Sequence, residues 1–254
     1  MKTIKLVLAL FVASLTLQTN AQTAEEIVDT YLENIGGKEN LAKIQSLKMI
    51  GKINAQGMEI PFETATTSKG EVYMMIDLQG TKMKQLVANG EKAWNMNMMT
   101  RKMEQMPQEM ADALITEFKD FPNPFMNYKE KGYTIELLGE DTQEGTECFK
   151  LKLTKKPLTF EGEQVPNIAI YYFDKENFVP IALETEVPTG PAKGQVMKTP
   201  LSDYQEVNGV YFPFSTSMQG MPLTYTTIEM NPTFEKDAFE VPEEVTPATD
   251  GNKN

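Results

Sequence analysis

From residue 46 onward apolar side chains recur at every second position, and short turn signals cut the run at hairpin-like intervals. Val72, Met74, Ile76 and Leu78 fall on one face of a strand, and Met58, Ile60 and Phe62 on one face of another. The turn dipeptides are Gln56-Gly57, Gln79-Gly80, Asn89-Gly90, Asn208-Gly209 and Gln219-Gly220. Connections this short join antiparallel neighbours, whereas parallel strands need crossovers of about a dozen residues or more. The pattern therefore predicts an antiparallel meander, and the apolar runs suggest roughly ten to twelve strands, a count suited to a large curled sheet or barrel.

Two helices break this period. Thr23 followed by Glu26 forms a capping box, and Ile27, Val28, Tyr31, Leu32 and Ile35 keep helical spacing until Gly36-Gly37. A second helix is expected from Pro107, a residue suited to a first turn, with Met110, Leu114, Ile115 and Phe118 on one side. The chain opens with Lys2 and Lys5, an apolar run over residues 6–17 and small residues at Thr19 and Ala21. That pattern reads as a secretory signal over 1–21, because a spanning helix needs roughly 20 apolar residues. Residues 22–242 form the expected domain, and the polar segment 243–254 reads as a disordered tail. A soluble periplasmic protein is the expected product.

Composition excludes several chemistries. The net charge of −12, near −14 once Lys2 and Lys5 leave with the signal, disfavours nucleic acid as a partner. There is no histidine, so serine and cysteine triads lack their usual base, and Cys148, the single cysteine, reads as an incidental thiol. No cofactor motif and no histidine-based metal site is present.

What remains distinctive is 17 methionines, six of them within residues 92–110, just after Trp94, the single tryptophan. Three readings stay open. Flexible thioethers fill cores, they bind copper(I) where several converge, and they line surfaces that adapt to variable apolar shapes. Trp94, Met96 and Met98 alternate with Asn95 and Asn97, which suggests a surface rather than a point.

The order of segments resembles a known family. A helix ending Ile35-Gly36-Gly37-Lys38 precedes SLKMIGKI (46–53) and MEIPFE (58–63); YKEKGYTIELLGEDTQEGTECFKLKLT (128–154), LSDYQEVNGVYFPFS (201–215) and AFEVP (238–242) follow. This resembles the outer-membrane lipoprotein-sorting proteins, the LolA/LolB-like periplasmic lipoprotein carrier superfamily in its Bacteroidetes form, over about residues 23–242. Residues 140–153 and 201–214 are its most specific parts. The resemblance implies a mainly β, α+β fold: one curled antiparallel sheet forming an unclosed half-barrel, its concave face covered by the N-terminal and inserted helices. It implies a carrier of lipoprotein acyl chains or other lipids that works between an inner-membrane transporter and an outer-membrane receptor, without catalysis or cofactor. The arginine with which such carriers latch their lid is not carried over, since Arg101, the only arginine, lies in the turn-like Met99-Thr100-Arg101.

The expected cavity lining is Trp94, Met96 and Met98, then Met74, Ile76 and Leu78, with Phe212 and Phe214. Met110, Leu114, Ile115 and Phe118 mark the inserted helix, either a moving lid or a fixed plug. Two rivals to the carrier are a copper(I)-handling protein and an envelope protein-interaction module without a ligand.

Overall fold

The computed structural model describes residues 22–241. The expected signal and tail lie outside these described residues. The N-terminal helix α1 spans Ala24–Asn34. Its capping box is formed: Thr23 Oγ1 accepts from Glu26 N at 3.2 Å, and the Glu26 carboxylate accepts from Thr23 N at 2.8 Å. The helix stops because Gly36 and Gly37 take positive φ, and Gly37 N donates to Leu32 O. A Cβ on Gly36 would stand 2.4 Å from Gly209 O, so the helix can end against the 207–210 turn only with glycine there. A short helix α2 follows at Lys38–Leu41.

Sixteen strands follow among the described residues. β1 (Ser46–Ala55), β2 (Met58–Thr67), β3 (Glu71–Leu78), β4 (Thr81–Asn89), β5 (Ala93–Asn97) and β6 (Lys102–Gln105) precede helix α3 (Gln108–Lys119). Then come β7 (Thr134–Gln143), β8 (Thr146–Thr154), β9 (Leu158–Phe160), β10 (Glu163–Val165), β11 (Ile168–Asp174), β12 (Pro180–Glu186) and β13 (Val196–Pro200). β14 (Ser202–Val207), β15 (Val210–Met218) and β16 (Met221–Met230) complete the order.

The protein is mainly β, built on a large curled antiparallel sheet that does not close into a barrel. That sheet has nine strands in the order β14-β15-β16-β1-β2-β3-β4-β5-β6. The expectation of one sheet of ten to twelve strands is corrected in its count: β13-β12-β11-β8-β7 form a second sheet of five, and β9-β10 a hairpin of two. The physical reason is the connection after α3. Residues 120–133 pack as an irregular segment with Phe125 and Met126 buried, so the chain leaves the first sheet and starts a new one.

The main core lies around α1. Ile27, Val28, Tyr31 and Leu32 meet Leu47 and Ile228 of the large sheet and Leu151, Leu153 and Phe173 of the five-stranded one. Tyr31 packs edge-on to Phe173 at 5.3 Å and to Phe125 at 6.0 Å, and its hydroxyl accepts from Asn123 Nδ2 at 2.7 Å. Burial pushes the Tyr31 phenol up from its ordinary value near 10 to about 12.

Candidate functional site

Strand register decides which side chains face the hollow of the sheet. Phe62 pairs with Ile76 and Gly51, Thr64 with Met74 and Met49, and Thr66 with Val72 and Leu47. Ile53 in turn pairs with Leu223, and Thr216 with Leu223. Paired residues share a face, so Val72, Met74, Ile76 and Leu78 lie on the concave side with Phe212, Phe214 and Met218.

That concave side has three sections. The first is filled by α1: Phe214 is buried and Phe212 half-buried against the main core. Both are therefore occupied by the protein's own helix. The second is covered by α3, where Ala111 and Ile115 sit on Val72, Ala88 and Ala93, with Leu114 and Phe118 alongside. The third holds Ile53, Phe62 and Leu223, all buried, with half-buried Met74, Ile76, Met218, Met221 and Tyr225 packed around them. No helix residue belongs to this third cluster. Burial raises the Tyr225 phenol to about 12.

Helix α3 corrects the expected stripe by one residue. Met110 is 46% exposed, and Ala111 takes the inward place before Leu114, Ile115 and Phe118. The reason is the small-residue floor of Ala88 and Ala93, which lets the helix approach closely. Gly70 continues that floor, since a Cβ there would stand 2.9 Å from Ile115 Cγ2.

Polar ties hold both ends of α3. At its start the Glu109 carboxylate accepts from the backbone N–H of Glu161 and Gly162 in the β9–β10 turn. At its end Lys155 Nζ pairs with Glu117 and lies 3.1 Å from Asp120 Oδ2, a charge contact without hydrogen-bond alignment. Asp120 Oδ1 also accepts from Tyr133 Oη at 2.9 Å and from Lys131 Nζ at 3.2 Å. Asp120 and Lys155 are both buried.

Trp94 and Met96 occupy the other face. Trp94 pairs with Val87, which pairs with Tyr73, so all three lie on the convex side, as do Met96 and its partner Met103. They do not join Met74 and Ile76, and the expectation of one shared lining is corrected by this register. The 231–241 segment folds back over that convex face, where Phe234, Ala238 and Phe239 pack against Ala65, Tyr73 and Val87. Lys84 Nζ ties the segment down by donating to the carbonyls of Asp237, Ala238 and Glu240, and burial lowers its pKa from the usual lysine value. Met98 belongs to neither face: it lies in the β5–β6 turn and is 67% exposed.

A large cleft also lies away from the concave face. It measures about 710 Å³, between β12–β13 and β14–β15, and its walls combine Glu144, Asp174, Glu176, Asp203 and Lys198 with Val179, Ile181, Leu201 and Tyr211. These mixed charged and apolar walls differ from the apolar third section. Cys148 is buried on the outer side of the five-stranded sheet, its thiol donating to Thr146 O, and burial pushes its pKa up.

No protein-family model matches the chain, and no curated protein matches it in sequence. Its fold is similar to that of a DUF1329 family protein from Desulfovibrio piger, with a TM-score of 0.51 and 13% identity over 85% of this chain and 97% of that one. A LolA superfamily protein from Nitrosomonas europaea is similar at a TM-score of 0.48, with 13% identity over 85% and 97% of the two chains. Among the described residues no helix is long and apolar enough to cross a membrane.

Proposed function

We propose that the protein is a periplasmic carrier that binds the acyl chains of lipoproteins or other lipids and moves them towards the outer membrane. In family terms it is a lipoprotein-sorting carrier of the Bacteroidetes type, exported by a cleaved signal, with residues 22–242 as its carrier domain. The observation that carries this reading is the helix-free section of the concave face. There Met74, Ile76, Met218 and Met221 surround buried Ile53, Phe62 and Leu223, so the surface is apolar and made of side chains that repack. An acyl chain laid there gains roughly 0.8 kcal/mol per methylene enclosed, which allows firm binding without a specific polar contact. Release then requires only another apolar surface. No catalytic step is part of this reading, and an inner-membrane transporter and an outer-membrane receptor are its expected donor and acceptor.

The test is native mass spectrometry with lipid extraction on protein purified from its own cell envelope. Co-purifying acyl species that disappear when Met74 and Met218 are replaced by glutamate support the carrier. Protein that is free of lipid and also ignores added acylated peptide contradicts it. The same three thioethers, Met74, Met218 and Met221, favour a second reading, a copper(I) site. Stoichiometric copper(I) uptake that survives Cys148→Ser and fails in Met218→Leu would select it.

A further inference from the structure

Antiparallel order brings four hairpin turns to the same edge of the large sheet. They are the turns after β1, β3, β5 and β15, at residues 56–57, 79–80, 98–101 and 219–220. Three methionines stand out from this rim: Met58 is 62% exposed, Met98 67% and Met99 95%. They occupy two separate hairpins that flank the turn carrying Leu78.

The rim also differs from the rest of the chain in charge. Residues 54–59, 77–82, 97–102 and 217–222 contain the acids Glu59 and Asp77 and the bases Lys82, Arg101 and Lys102, in a protein of net charge −12. Glu59 is already paired with Lys52, and Asp77 accepts from Gly80 N in its own turn. Lys82 and Arg101 are exposed, and Arg101 is presented from a turn with φ of 55°.

We propose that this rim docks the protein onto a phospholipid bilayer, with Met58, Met98 and Met99 entering the headgroup layer and Lys82 and Arg101 meeting lipid phosphates. Three features favour a bilayer over a protein. The exposed thioethers rise from separate turns with no aromatic residue among the four segments, so nothing there anchors a fixed partner surface. A fluid interface accepts apolar tips at differing heights, and cationic neighbours add attraction to phosphate. The rim is also continuous with the apolar concave section, because Met218 and Met221 close the β15–β16 turn and belong to that cluster. This continuity rests on the carrier reading: an acyl chain would pass from bilayer to hollow without crossing open water.

The test is co-sedimentation of the exported chain with vesicles of phosphatidylethanolamine containing phosphatidylglycerol as the minor lipid. The wild-type protein is expected to sediment with them, and the triple variant Met58→Ser, Met98→Ser, Met99→Ser to lose about tenfold or more of its partition. The pair Lys82→Glu, Arg101→Glu should weaken binding and remove its sensitivity to salt. Uptake of a fluorescent fatty acid without vesicles is measured alongside, and the triple variant should retain it. Wild-type protein that stays in the supernatant, or a triple variant that sediments equally well, overturns the docking proposal. Vesicle binding that depends on the methionines, together with no fatty-acid uptake by any form, supports docking while rejecting the carrier reading.

Discussion

The helix-covered and helix-free parts of the concave face are built from the same sheet but to opposite ends. Under α1 and α3 the floor is closed by rigid partners: aromatic rings edge to edge around Tyr31, alanines beneath Ile115, and a buried carboxylate and ammonium at Asp120 and Lys155. Beyond the helices, towards the hairpin turns, buried Ile53, Phe62 and Leu223 are flanked by half-buried thioether and aliphatic chains with no helix on them. The difference teaches that stability and binding are separated along the strands. One end fixes the curl of the sheet, and the other is left adaptable.

The comparison can be broken most forcefully at the covered end. Lys155→Ala removes the buried one of the two cations at Asp120, leaving Lys131, and chemical denaturation should show a loss of about 2–3 kcal/mol. A loss near zero would mean that α3 is not held by this cluster. A smaller effect tests the corrected helix register. Ala111→Leu overfills the space above Ala88 and Ala93 and should cost about 1–3 kcal/mol, while Met110→Ser, on the exposed side, should stay within about 0.5 kcal/mol. Equal effects would put the wrong side of α3 against the sheet.

At the helix-free end the expected change is in binding rather than folding. Met74→Ala with Met218→Ala should weaken fatty-acid binding about tenfold while costing about 1 kcal/mol per site in stability, since both side chains are only half-buried. The smallest effects concern two tyrosines, one at each end. Both phenols are raised to about 12, so their contribution is complete below pH 10 and is lost as the pH rises from about 10 to 12. Alkaline denaturation followed by tyrosinate absorbance and circular dichroism should show this. Tyr31→Phe should also cost about 1 kcal/mol at neutral pH, because Asn123 Nδ2 loses its acceptor, whereas Tyr225→Phe should be close to neutral.

Much of this architecture is legible in the chain itself. The capping box at Thr23 and Glu26, the glycine stop at 36–37 and the Gln-Gly hairpins act over a few residues, so local chemistry is enough to place them. The face of Trp94 is not local. It depends on pairing across the three-residue β4–β5 connection and on a bulge between Met74 and Met75 that shifts the β3–β4 register, and one residue of slip reverses every side chain. The inward place of Ala111 was hidden because alanine carries little apolar signal; the small residues that receive it lie on β4 and β5. The fold-back of 231–241 over Tyr73 has no periodic pattern to announce it. It is fixed by three carbonyls converging on Lys84, a contact between residues more than a hundred positions apart.

The most direct test of the central claim is photo-crosslinking with a fatty acid that carries a diazirine near its methyl end, followed by peptide mapping. The account predicts labels on the helix-free section, at Met74, Ile76, Met218 or Met221, that compete away with unlabelled fatty acid. Labels confined to the cleft around Tyr211, or to the convex face around Trp94, would contradict it.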